Sequence, residues 1–186
     1  MKRLFIAIKF IPDPNLLKIY YSLRRATKDD KIRWVEPDKF HLTLKFLGNT
    51  PEDKIDLISD VISSTVESFG KFKFRLISTG IFGSSYQPRV IWFGTDNNEE
   101  LKRLGLVLLD KLDLVGFSKG RQNYVPHLTI GRITKIMDKR MFNNEIEKVR
   151  DAFLQFIPVD NVILYESILS PRGPAYKVIR SFQLKN

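Results

Sequence analysis

Apolar residues along the chain change period between two and about three and a half several times, so short strands mixed with amphipathic helices are expected. Residues 3–10 alternate, with Leu4, Ile6, Ile8 and Phe10 on one face and Phe5, Ala7 and Lys9 on the other, which predicts a half-buried strand. Asp13-Pro14 has the form of an N-cap followed by proline at the first helical position, and predicts a helix to about Thr27. Strands are expected over 32–35 and 40–47. Thr50-Pro51 repeats the start signal, ahead of a stripe of Ile55, Ile58, Ile62, Val66 and Phe69 that Gly70 would close. Strands over 72–79 and 89–95 lead to a capping box of Asn97 and Glu100 before Leu101, Leu104, Leu108, Leu112 and Val115, with Gly116 as the stop. A strand over 127–133, a fourth helix from near Asp138 to Phe153, and strands over 157–166 and 176–184 complete the chain. The stretches 80–83 and 171–174 read as loops.

This order lacks the strict rhythm of a doubly wound sheet and predicts an α+β fold with mostly antiparallel sheets. No linker or low-complexity segment divides the chain, so residues 1–186 are expected to form one domain. A similar order of elements in the two halves suggests that those halves are internally related. With 43% hydrophobic and 12% aromatic residues in 186, the chain has enough apolar matter for a core, which excludes global disorder. The absence of cysteine excludes a disulfide scaffold, a Cys nucleophile and every thiolate metal site, and agrees with a reducing, cytoplasmic location. The apolar run after Met1-Lys2-Arg3 is broken at Lys9, and nothing approaches the roughly 20 apolar residues of a membrane span, so no targeting or membrane segment is expected. The balance of 31 basic against 21 acidic residues leaves a net charge of +10 and favours a polyanionic partner. These charges are spread along the chain, so they give a direction and no site.

The only two histidines stand in one repeated tetrapeptide: His41-Leu42-Thr43-Leu44 and His127-Leu128-Thr129-Ile130. Background composition would place Leu-Thr after the second histidine in roughly one case in two hundred. In a strand, positions i and i+2 share a face, so His41 goes with Thr43 and His127 with Thr129, while Leu42, Leu44, Leu128 and Ile130 face the core. An imidazole titrates near neutrality, so two of them across a phosphorus can serve as general base and general acid in an in-line displacement. The hydroxyls can hold the non-bridging oxygens, which gain charge as the nucleophile arrives. A His₂-carboxylate metal site would need a third ligand, and no acidic residue stands near either motif at a telling spacing.

Paired His-x-Thr-x motifs in a basic chain of this length resemble the 2H phosphoesterases. Residues Phe40 to Asn49 and Tyr124 to Arg132 are similar to the two motifs of their bacterial and archaeal RNA 2′,3′-cyclic phosphodiesterase branch, also called 2′-5′ RNA ligases. Arg3 to Ile8 and Pro171-Arg172-Gly173-Pro174-Ala175-Tyr176 extend the likeness over almost the whole chain. The resemblance implies a bilobal fold with a pseudo-twofold axis, helices outside and a cleft between the lobes. It implies hydrolysis of RNA or nucleotide 2′,3′-cyclic phosphates to 2′-phosphomonoesters without metal or cofactor, by a monomer. His41 would be the proton donor and His127 the proton acceptor, an orientation the near-equivalent motifs do not themselves supply. Two alternatives stay open: ATP-independent 2′-5′ RNA ligation as the main activity, and a non-catalytic RNA-binding module.

The family pattern also points to Arg132 as a phosphate contact and to Phe46 as a sugar or base contact. Both stand five positions after a histidine, where strand parity points them away from it. A bulge would have to re-aim them; Gly131 permits one beside Arg132, whereas nothing comparable precedes Phe46, whose alternative is a core aromatic. Arg132's alternative is a solvated surface charge. Tyr124 is either a stacking residue for a base or packing beneath the second motif. Tyr86, Arg89 and Trp92 stand where a turn and strand could rim the cleft.

Overall fold

The computed structural model describes residues 1–84, 86–119, 124–170 and 173–186. In chain order the elements are β1 (Lys2–Lys9), α1 (Pro14–Ala26), β2 (Lys31–Trp34), β3 (His41–Thr50), α2 (Ile55–Val66), β4 (Phe72–Gly83), β5 (Pro88–Thr95), α3 (Glu99–Leu114), β6 (His127–Lys135), α4 (Lys139–Lys148), β7 (Phe153–Val159), β8 (Asn161–Ser170) and β9 (Gly173–Gln183).

Local chemistry sets most helix ends. Asp13 accepts from the Leu16 amide at 2.8 Å and Asp138 from Met141 at 2.9 Å, each filling one of the donors a first turn leaves open. The α3 cap is Asn98, one residue later than expected. Its carbonyl oxygen accepts from Leu101, its amide donates to the Lys73 carbonyl, and Glu100 pairs with Arg103 instead of closing a box. Gly116 does stop α3, at φ +94°, with its own amide and that of Phe117 bonded back to Asp113 and Leu112.

Tertiary pairing overrides the local signal elsewhere. Thr50 ends β3 and its hydroxyl donates to the Gly48 carbonyl, so α2 starts at Ile55 after a 3₁₀ turn and without a side-chain cap. Gly70 does not close α2, which ends at Val66; it forms a bridge with Lys185. Residues 80–83 are not a loop but continue β4 against β5. The fourth helix stops at Lys148, because Phe153 is drawn into β7 opposite Ile77. The apolar run over 157–166 is two strands divided at Asp160. Pro171 and Arg172 lie outside the described residues, while Gly173 and Pro174 begin β9.

The strands form two antiparallel sheets, a first in the order β3-β1-β8-β9 and a second in the order β2-β6-β5-β4-β7. Each sheet takes strands from both halves of the chain. One apolar core joins them: Leu4, Ile6 and Leu164 of the first sheet and Ile91, Phe93 and Leu128 of the second bury against Tyr20 of α1, Ile62 of α2, Leu108 of α3 and Phe142 of α4. β1 is buried on both faces rather than half-buried. Its other side, Phe5 and Ala7, packs with Ile163, Tyr165 and Tyr176 in a second cluster on the face away from the helices. Among the described residues no helix is long and apolar enough to cross a membrane.

Gly105 lets the Tyr124 ring lie directly on α3, since a Cβ there would overlap the ring. Gly105→Ala should therefore lower stability by about 1–3 kcal/mol through overpacking, although alanine gains up to about 1 kcal/mol of helix propensity. A urea melt with an unchanged or raised midpoint would show that the ring gives way at little cost.

Candidate active site

His41 opens β3 and His127 opens β6, the two strands at which the sheets meet. Leu42, Leu44, Leu128 and Ile130 are buried in the common core, each stabilising its strand by about 1.5–3 kcal/mol. The alternate positions turn the other way: Lys9 lies opposite His41 and Ala7 opposite Thr43, which places this pair on the face of the second cluster. In the second sheet, His127 lies opposite Gly94 and Thr129 opposite Trp92.

Both strands then carry one extra residue at the same point. In β3 the pairing with β1 passes from Thr43 to Lys45 and skips Leu44; in β6 the pairing with β5 passes from Thr129 to Gly131 and skips Ile130. Each skipped residue is the third after a histidine. A bulge of this kind reverses strand parity beyond it. Gly131 joins Ile130 on the core side, where a Cβ would meet Ile32 and Trp34. Arg132 thereby returns to the face of His127, and Phe46 to that of His41, opposite Phe5 with ring centroids 6.0 Å apart. Phe46 is not a core aromatic: it is 63% exposed. The device missing from the expectation for Phe46 is the bulge at Leu44, which has no glycine to announce it.

The two imidazoles are held alike. His41 Nδ1 lies 2.7 Å from the Lys39 carbonyl and His127 Nδ1 2.8 Å from that of Val125, each two residues back. A carbonyl only accepts, so Nδ1 carries the proton and Nε2 remains as the reactive nitrogen. Each ring also meets an aromatic edge-on, His41 against Tyr176 at 5.1 Å and His127 against Phe82 at 4.7 Å, with the Phe5 centroid 5.0 Å from that of His41. Burial pushes both imidazoles below the ordinary histidine value. The carbonyl hydrogen bond opposes this in each case, and Lys9 beside His41 and Arg132 beside His127 add to it.

The two faces converge on one cleft. The Arg132 guanidinium on the second sheet bears on His127 and on Tyr176 of the first sheet, and Tyr176 touches His41. Burial raises the Tyr176 hydroxyl, while Arg132 and Arg3 pull it down. Thr43 and Thr129 are half-buried, and neither hydroxyl has a hydrogen-bond partner among the described residues. The arrangement offers two imidazole Nε2 atoms, two hydroxyls and a guanidinium to one ligand, a set suited to an anionic group undergoing proton transfer on two sides. Among the described residues no three His, Asp or Glu side chains are gathered as a metal site.

Tyr124 is not available to a base. Its ring packs on α3 at Gly105 and burial raises its hydroxyl well above the usual tyrosine value, so it is packing beneath the second motif. Trp92 lies on the cleft face with its ring over Gly80 and 5.3 Å from Phe82. Tyr86 stands at the β4–β5 turn under the Lys139 ammonium, and Arg89 is exposed at the start of β5. Sequence reasoning missed Phe5, Phe82 and Tyr176 as the walls of the histidines. Phe5 could have been found from its place opposite the core-facing residues of β1; Phe82 was hidden in an assumed loop.

Known proteins resemble this chain in sequence and in fold. Residues 10–92 match the family model described as LigT like Phosphoesterase. The RNA 2′,3′-cyclic phosphodiesterase of Methanocaldococcus jannaschii is 37% identical over 180 residues, 97% of this chain and 99% of that protein. The protein of that name from Thermotoga maritima is 36% identical over 152 residues, 82% of this chain and 79% of its own. Among solved structures, TT0787 of Thermus thermophilus superposes with a TM-score of 0.81 at 26% identity, covering 99% of this chain and 98% of that one. E. coli LigT complexed with 3′-AMP shares the fold, with a TM-score of 0.75 at 21% identity over 100% of this chain and 99% of that one. With identity above a third over nearly the full length of both chains and a fold that superposes along the whole chain, the chain belongs to the LigT-like phosphoesterases.

Proposed function

We propose that this protein hydrolyses RNA or nucleotide 2′,3′-cyclic phosphates to 2′-phosphomonoesters by two-histidine acid–base catalysis, with neither metal nor cofactor. The observation that carries this reading is the matched pair of imidazoles, each proton-loaded at Nδ1 and presenting Nε2 to one cleft. The names of the relatives that match over most of their length support it. His127 Nε2 takes a proton from water as the water oxygen bonds to phosphorus; the bond from phosphorus to the ribose 3′ oxygen breaks, and His41 gives that oxygen its proton. The product carries a 2′-phosphate and a 3′-hydroxyl, and proton exchange with solvent resets the pair. This orientation of the two roles follows the family's assignment. Thr43 and Thr129 donate to the non-bridging oxygens, Arg132 offsets their charge, and Phe46 lies against the sugar or base.

The cleft is built by one chain, which supports a monomer as the active unit, and the two halves, each with one bulged His-x-Thr strand, support an internal duplication. The lack of cysteine supports a cytoplasmic setting. No feature of the cleft favours ligation or simple RNA binding over hydrolysis.

Purified protein should convert a nucleoside 2′,3′-cyclic phosphate to the 2′-monophosphate in excess EDTA, with the product identified by phosphorus NMR. His41→Ala and His127→Ala should each lower kcat at least about a hundredfold with the fold retained. Turnover that needs a divalent ion, or a double variant as active as wild type, would sink the mechanism.

Burial lowers both histidines, so in the free enzyme the form with a protonated acid and a neutral base is most populated on the acid side of the ordinary value of about 6.5. The profile of kcat/KM against pH should be a bell centred below that value, falling as pH rises and the acid loses its proton. The kcat profile should lie higher, because the bound phosphate anion raises both groups. A kcat/KM optimum above about pH 8 would contradict this assignment.

Arg132→Ala should raise KM and reduce the dependence of binding on salt, as loss of one phosphate contact does. An unchanged KM and salt slope would remove Arg132 from the site.

A further inference from the structure

Strand register places His127 at one end of a row that crosses four of the five strands of the second sheet. His127 lies opposite Gly94, Gly94 opposite Ile77, and Ile77 opposite Phe153. Three strand spacings make this row about 14 Å long, far enough to pass beyond a single nucleotide. Gly94 is buried, and the place a side chain would take is filled by Ser78 Oγ and the Trp92 ring, so the path from the cleft runs over these two side chains.

At its far end two large aromatics face solvent. The β4–β7 pairing skips Leu154, so Leu154 and Gln155 are both buried and Phe153 and Phe156 both turn outward. They are 46% and 52% exposed, their centroids lie 5.2 Å apart, and the Lys73 ammonium stands 5.3 Å from the Phe156 centroid. Exposed aromatics on a sheet beside a cation are the components of a stacking platform for single-stranded nucleic acid. Beside the row, a cavity of about 590 Å³ opens between β4 and α4, with Trp92 as one wall. Trp92 Nε1 has no hydrogen-bond partner among the described residues, so this wall has polar capacity left for the edge of a base. Next to its histidine the first sheet exposes the ring of Phe46, already assigned to the terminal sugar or base, while Phe5 and Tyr165 are buried against each other.

We infer that the outward face of the second sheet is a track for the RNA strand 5′ of the cyclic phosphate, ending where Phe153 and Phe156 stack a base. A 2′,3′-cyclic phosphate exists only at a 3′ end, so all remaining nucleotides leave the cleft on one side, and this face receives them. The inference rests on the phosphodiesterase reading and adds to it a subsite for the nucleotides 5′ of the cyclic end. Lys73 and Arg132, on this face at opposite ends, supply positive charge to its phosphates.

The test compares a five-nucleotide RNA ending in a 2′,3′-cyclic phosphate with the cyclic mononucleotide. The double substitution Phe153→Ala, Phe156→Ala should raise KM for the RNA roughly tenfold or more, as loss of a base stack does, and leave mononucleotide KM within twofold. Phe153→Tyr with Phe156→Tyr keeps the stacking faces and should restore the RNA value. Lys73→Ala should lower the salt dependence for the RNA alone. An equal change for both substrates, or none for the RNA, would overturn the track. Failure of the wild type to turn over either substrate would instead reject the phosphodiesterase reading.

Discussion

The site depends on one extra residue in each of two strands. A regular strand could bring a histidine and a threonine to one face but would send the residue five positions on into the core. Skipping Leu44 and Ile130 reverses the parity once, and the guanidinium of Arg132 and the ring of Phe46 come round to join the imidazoles. The requirement shapes the neighbouring position as well. In β6 the residue after the bulge is glycine, and any Cβ there would stand only 3.0 Å from Ile32. In β3 the corresponding residue is Lys45, which an edge strand tolerates because its ammonium reaches the Ser118 carbonyl.

The imidazoles are governed by a balance between local order and dry surroundings. The carbonyl two residues back orients each ring and favours the cation, while the aromatic wall strips water and favours the neutral form. Burial is the stronger effect in both. Enclosed groups of this kind respond strongly to an incoming anion, since little solvent is left to screen the new charge. The near-equivalence of the two settings also explains why acid and base cannot be told apart from the rings alone.

Much of this was legible in the sequence because it is local. The caps at Asp13 and Asp138 and the stop at Gly116 act within a turn, and the repeated His-Leu-Thr specifies a strand face without knowing its partner. The failures are non-local. Whether 80–83 is loop or strand depends on β5 lying alongside, and whether the chain near Phe153 is helix or strand depends on β4 offering an edge. The bulge at Leu44 depends on β1, and nothing in the tetrapeptide marks it. Tyr124 could not be placed without α3 and its Gly105, and the wall residues Phe5 and Tyr176 meet His41 only after three distant strands assemble.

The interleaving of the sheets has a consequence for synthesis of the chain. β1 leaves the ribosome before the strands it pairs with, yet it is sandwiched between β3 and β8 and buried on both faces. Until the last quarter of the chain emerges, one edge of the segment from Leu4 to Ile8 has no partner and its apolar sides are only partly covered. A nascent chain would therefore carry an adhesive strand for most of its elongation, the condition in which strand edges aggregate. The late hairpin of β8 and β9 acts as the closing element of the sheet, so a product truncated before it would keep the β1 edge open.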